Sequence, residues 1–120
     1  MPVEWKREQN NLIVYTVTGE LSVAELGNVQ QQTDTILKQG SDWKVLVVLQ
    51  DFEGWKKEEG WGNTSLIDET DQNVVRMALV GEPQWRDEVE MFTLKGMRPL
   101  EIEYFTDEGQ ARSWFETADA

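Results

Sequence analysis

Trp43 to Trp61 reads WKVLVVLQDFEGWKKEEGW, and this stretch decides the fold. Val45 to Leu49 is an uninterrupted apolar run rich in β-branched residues. Such a run suits a strand covered on both faces, as at the centre of a parallel sheet. At Gln50-Asp51 the character changes. The run empties into a loop with two Gly-Trp pairs, Gly54-Trp55 and Gly60-Trp61, separated by Lys56-Lys57-Glu58-Glu59. Open α/β sheets place their binding crevice beyond the carboxyl ends of the strands. Asp51, Phe52, Trp55 and Trp61 are therefore the candidate ligand-binding residues.

Upstream of this stretch, Val3 to Gln9 and Leu12 to Thr18 read as two strands joined at Asn10-Asn11, a fair two-residue hairpin turn because Asn tolerates positive φ. The charges of the first segment suit an edge strand. In the second, Leu12, Val14, Thr16 and Thr18 share one face, and Ile13, Tyr15 and Val17 share the other. Gly19-Glu20 leads to a helix start at Ser22, where S-x-x-E with Glu25 makes a capping box and Leu21 and Leu26 are spaced for a hydrophobic staple. Leu26, Val29, Thr33, Ile36 and Leu37 form its apolar stripe, and Gly40 is placed to end it.

Downstream, Asn63-Thr64-Ser65 caps a short helical turn from Leu66 to Glu69. Val74 to Val80 (VVRMALV) is a further buried strand. Gly81-Glu82-Pro83 opens a helix with Pro in its first turn and an apolar stripe of Trp85, Val89 and Phe92, closed by Lys95-Gly96. Arg98 to Phe105 is the last strand, with Leu100, Ile102 and Tyr104 on one face. Thr106 caps a final helix that buries Ala111, Trp114, Phe115 and Ala118. The expected fold is α/β: a single mixed, mostly parallel five-stranded sheet with an N-terminal antiparallel hairpin, in the order ββαβαβαβα. It occupies residues 1–120 as one domain.

Composition limits the chemistry. The chain has 120 residues, enough to bury about two-thirds of its unfolded surface. Its six tryptophans must mostly pack in the core, cap it or line a pocket. A formal charge of −12 repels phosphate backbones and anionic headgroups, which argues against nucleic-acid binding and electrostatic membrane docking. With no Cys and no His, a thiolate or imidazole zinc site, a thiol nucleophile and a histidine base are all excluded. The expectations are no metal, no cofactor and no catalytic residue. The lack of Cys, of a signal-peptide pattern and of an apolar run of about 20 residues points to the cytoplasm, with no membrane insertion.

Three phrases carry a family resemblance. They are Asp51-Phe52-Glu53-Gly54-Trp55, Met77-Ala78-Leu79-Val80-Gly81 running to Trp85, and Glu103-Tyr104-Phe105 followed by Glu108, Ala111 and Trp114-Phe115. Together with the element order they resemble the STAS domain (sulphate transporter and anti-sigma-factor antagonist), and within it the SpoIIAA-like, STAS/SEC14-like branch. The resemblance implies the fold over nearly the whole chain. STAS proteins that antagonise anti-sigma factors carry a phosphorylatable Ser in a D-S-S/T-G-like motif. The matching region here is Asn63-Thr64-Ser65-Leu66, which departs from the motif in having no preceding Asp and no following Gly; Ser65, the only Ser in reach, is the phosphorylation candidate.

The expected function is a non-catalytic STAS-like binding module. It engages a protein partner or a small apolar, lipid-like ligand at the crevice beyond the central strand. Phe52, Trp55 and Trp61 either lid a pocket there or roof the core beneath a long loop, and homodimerisation would draw on the same aromatics. The alternatives are a phosphorylation-controlled regulator acting through Ser65, and an enzyme using carboxylates alone. The second lacks a defined partner for Asp51. Asp68, Glu69 and Asp71 do not match calcium-loop spacing.

Overall fold

The structure, a computed structural model, describes residues 3–8, 11–39, 42–55, 74–92 and 101–118. Strands β1 (Val3–Glu8) and β2 (Leu12–Leu21) precede helix α1 (Val23–Lys38). Strands β3 (Trp43–Trp55) and β4 (Val74–Val80) follow, then a 3-10 turn (Pro83–Trp85), α2 (Arg86–Phe92), β5 (Glu101–Phe105) and α3 (Glu108–Ala118). The five strands form one sheet in the order β1-β2-β3-β4-β5. β1 is antiparallel to β2 at one edge, and every other neighbouring pair is parallel. The apolar run of β3 thus lies at the centre of the sheet. The proposed short helix from Leu66 to Glu69 falls outside the described residues, as do Gly40, Lys95, Gly96 and Leu100.

Helices cover both faces. Ile13, Val45, Leu79, Ile102 and Tyr104 face Leu37 of α1 and Val89 of α2. Leu12, Val14, Leu46, Ala78 and Val80 face Ala111 and Phe115 of α3. The period-2 reading of β2 is what divides its side chains between these two cores. Thr33 interrupts the apolar stripe of α1 but is fully paired. It accepts a hydrogen bond from the Tyr15 hydroxyl at 2.8 Å and donates to the Val29 carbonyl at 2.9 Å. Burial raises the pKa of Tyr15 above its ordinary value.

Four local expectations are corrected. The β1–β2 connection is not a two-residue turn, because Glu8 pairs with Leu12 and leaves three residues between them. Asn11 takes the left-handed conformation (φ 57°), as the last residue of such a loop must. The helix α3 is capped by Asp107 rather than Thr106: its Oδ1 accepts from Gly109 N at 3.3 Å and its carbonyl from Ala111 N at 3.3 Å. At α1, Ser22 Oγ accepts from Glu25 N at 3.2 Å as expected. Glu25 Oε2 is buried without a hydrogen-bond partner, so that oxygen does not close the reciprocal half of the box.

The fourth correction concerns β2 and β3, which do not stop at Thr18 and Leu49. They pair onward as Thr18↔Gln50, Gly19↔Phe52, Glu20↔Gly54 and Leu21↔Trp55, with register shifts on either side of Gly19. Asp51 and Glu53 are extra residues on β3, so the strand end carries two consecutive bulges. Asp51 (φ 51°), Gly54 (φ 105°) and Gly19 (φ 67°) absorb the distortion in left-handed backbone. Alternation fails across such a segment, and its sequence therefore reads as a loop.

An ion cluster ties the edge of the sheet to the last helix. Arg112 contacts Glu8 with Nη1 to Oε1 at 3.0 Å and Nη2 to Oε2 at 3.3 Å, and also reaches Glu108 at 2.8 Å. The hydrogen bond from Arg112 holds the Glu8 carboxyl below its ordinary pKa, against the opposing pull of partial burial. A depressed folded-state pKa contributes stability above the unfolded value of about 4.3, and that contribution is lost as pH falls through the folded value. Glu8→Gln is therefore expected to lower stability by up to about 1 kcal/mol near neutral pH, the range of partly exposed pairs. Urea midpoints for the two proteins should converge below about pH 4.

Candidate functional site

The carboxyl ends of β3 and β4, with the turn after β4, form the candidate site. The bulge at Asp51 reverses side-chain parity along β3. Phe52 would otherwise point with Leu46 towards α3. The extra residue returns it to the opposite face, where it packs with Val3, Val17, Leu21 and Val29 and is 9% exposed. Its ring meets Trp85 edge-on, with centroids 5.0 Å apart and planes inclined at 70°, a favoured aromatic geometry.

Gly54 makes the approach of Trp85 possible. A Cβ at this position would stand 3.2 Å from Trp85 Cη2, and its positive φ disfavours any other residue. The indole thus lies against bare backbone at the end of the central strand.

The turn that carries Trp85 is held from β5. Gly81 N donates to the Phe105 carbonyl at 3.1 Å, and the Tyr104 hydroxyl donates to the Glu82 carbonyl at 2.6 Å. Pro83 then starts the 3-10 turn that ends at Trp85. Burial raises the Tyr104 pKa; the Glu82 charge adds to this, and Arg86 opposes it. A Cβ on Gly81 would lie 2.6 Å from the Tyr104 oxygen and 3.1 Å from Leu49 Cδ1. Gly81→Ala is expected to destabilise by about 1–3 kcal/mol through overpacking. Adding Tyr104→Phe removes the closer contact, so a double-mutant cycle by urea unfolding should show the two changes coupled rather than additive.

The structure places the sequence candidates differently from one another. Asp51 is exposed, and its carboxylate makes no ion pair or hydrogen bond among the described residues. Phe52 is buried. Trp55 ends β3, its backbone paired with Leu21. Trp61 and Ser65 lie outside the described residues. Trp85 was legible only as part of a helical stripe and a family phrase, because its contact with Phe52 spans two separate βα units. Among the described residues no group of three or more acidic side chains is arranged to hold a metal ion. No helix among them is long and apolar enough to cross a membrane. The arrangement offers an aromatic surface on a fixed turn beside a distorted strand end.

The model of the SpoIIAA-like family matches residues 12–116, and the chain belongs to that family. At this level it is a binding or regulatory module, of a kind that is generally non-catalytic and commonly binds protein partners. Among solved structures, the chain is similar to an uncharacterized protein with a SpoIIAA-like fold from Shewanella loihica PV-4. The TM-score is 0.66 at 18% identity, covering 94% of this chain and 91% of that one, and the likeness speaks for the fold. No curated protein matches the chain.

Proposed function

We propose that the chain is a non-catalytic binding module that receives an apolar group at the crevice beyond β3. The group is presented by a small lipid-like ligand or by a segment of a protein partner, and its contacts are Asp51, Phe52, Trp55 and Trp61. The Phe52–Trp85 pair seated on Gly54 supports this reading, because it sets aromatic surface at the strand ends where α/β sheets bind their ligands.

Tryptophan fluorescence during titration with oleate tests the small-ligand form. Native mass spectrometry of the purified protein, read for a co-purified lipid, complements it. A saturable change that Trp55→Ala and Trp61→Ala each diminish is the expected result. A response that survives both substitutions would remove those residues from the site. No response and no co-purified mass would rule out the lipid-like ligand and leave the protein segment.

A further inference from the structure

The strongest feature outside the crevice is the free edge of β1. Among the described residues no strand lies beyond it. Alternate backbone N–H and C=O groups of such an edge face outward and can template another strand. Its side chains form a pattern. Val3 and Trp5 turn towards the α1 face, where they join its core. Glu4, Lys6 and Glu8 turn to the other face. Glu4 and Lys6 are exposed, and the Lys6 side chain is 68% exposed even with Glu8 at 3.2 Å. The Glu4 carboxylate makes no ion pair or hydrogen bond among the described residues. Glu8 is already engaged by Arg112.

The geometry points to a second copy of this chain as the occupant of that edge, joined by antiparallel β1–β1 pairing about a two-fold axis through Trp5. A two-fold axis normal to the sheet keeps every side chain on its own face, so opposed residues must have the same parity. Within the strand this leaves few registers, and charge separates them. Centred on Trp5, Glu4 of each copy opposes Lys6 of the other. This makes two opposite-charge cross-strand pairs, with indole beside indole at the axis. Centring on Lys6 opposes Lys6 to itself and Glu4 to Glu8, all like charges. Glu4 at the axis sets two carboxylates against each other, and Arg7 at the axis sets two guanidinium groups against each other while its Lys6–Glu8 pairs would call on a Glu8 that Arg112 already holds. β1 is therefore complementary to itself in the register through Trp5.

The Trp5 indole is prepared for this position by a hydrogen bond from its Nε1 to Gln32 Oε1 of α1 at 2.8 Å. Arg7 is held away from the axis with its guanidinium 4.9 Å from the Trp43 ring centroid. The pairing is isologous and closes on itself, so it stops at a dimer and leaves no free β1 edge. It joins two five-stranded sheets into one continuous sheet.

Sedimentation velocity from low to high micromolar concentration tests the pairing on the full chain, with circular dichroism to confirm folding. The wild type is expected to shift from monomer to dimer mass. Lys6→Glu should weaken this association by about tenfold or more, because both cross-strand pairs become like-charged. Glu4→Lys should do the same. The double variant Glu4→Lys/Lys6→Glu exchanges the charges while keeping the complementarity, and should restore the dimer. Amide exchange of Val3–Glu8 should slow as the dimer fills. A monomeric wild type throughout would overturn the inference, as would a dimer indifferent to Lys6→Glu. Failure of the folded double variant to recover association would also overturn it.

Discussion

Phe52→Ala is expected to lower the stability of this protein by about 3–5 kcal/mol, the range for removing a buried aromatic ring. Phe52 is 9% exposed among Val3, Val17, Leu21 and Val29, and its ring is the partner of Trp85. Truncation would open a cavity where two elements, the bulged end of β3 and the turn after β4, depend on one side chain. Against a typical total of about 5–15 kcal/mol, the loss would move the urea midpoint by a large fraction of its value. Phe52→Leu refills much of the volume and should cost less than the Ala variant. The same measurement separates two roles. A side chain that only lids a ligand is cheap to remove from the free protein, so a loss below about 1 kcal/mol would mark Phe52 as a lid and not as part of the roof.

Leu46→Ala is expected to cost about 2–5 kcal/mol. Leu46 is fully buried on the central strand, on the face that packs against Ala111 and Phe115 of α3 with Val14 and Ala78 as neighbours. Flanking strands and the helix leave little freedom for the site to collapse, which favours the upper part of that range. Calorimetry should show the melting temperature lowered by about 10 °C or more, given the usual conversion for a domain of this size. Val75→Ala on β4 is the control. Val75 is 37% exposed, and its truncation should stay within about 0.5 kcal/mol of wild type. If Leu46→Ala were as mild as this control, α3 would not be docked on the sheet as described.

Much of the framework was legible because its signals are local. The run from Val45 to Leu49 declared a strand covered on both faces, and β3 is central with helices on either side. Ser22 announced the start of α1, and its hydroxyl caps Glu25 N. The charged first segment suited an edge, and β1 is one. Errors fell where a neighbouring residue competes for the same role. Asp107 caps α3 although Thr106 has the right chemistry, and Asn11 takes the left-handed position in a loop one residue longer than expected.

Residue pattern alone placed the helices and the strands apart from the bulged ends of β2 and β3, and it carried the α/β class and the resemblance to the SpoIIAA-like family to which the chain belongs. It also excluded histidine and cysteine chemistry outright. The form of the candidate site came from long-range packing. Phe52 turns towards α1 because residues 18–21 of β2 pair with residues 50–55 of β3, and the surplus residue Asp51 reverses the side-chain alternation just before it. Trp85 reaches Phe52 because Gly54 leaves room for its ring and Tyr104 holds its turn through the Glu82 carbonyl. These are contacts between positions far apart in the chain, set by strand register and by the volume a missing side chain leaves. Hydrophobic periodicity reports which face of its own element a residue takes, and it is silent on the residue that meets it from another element.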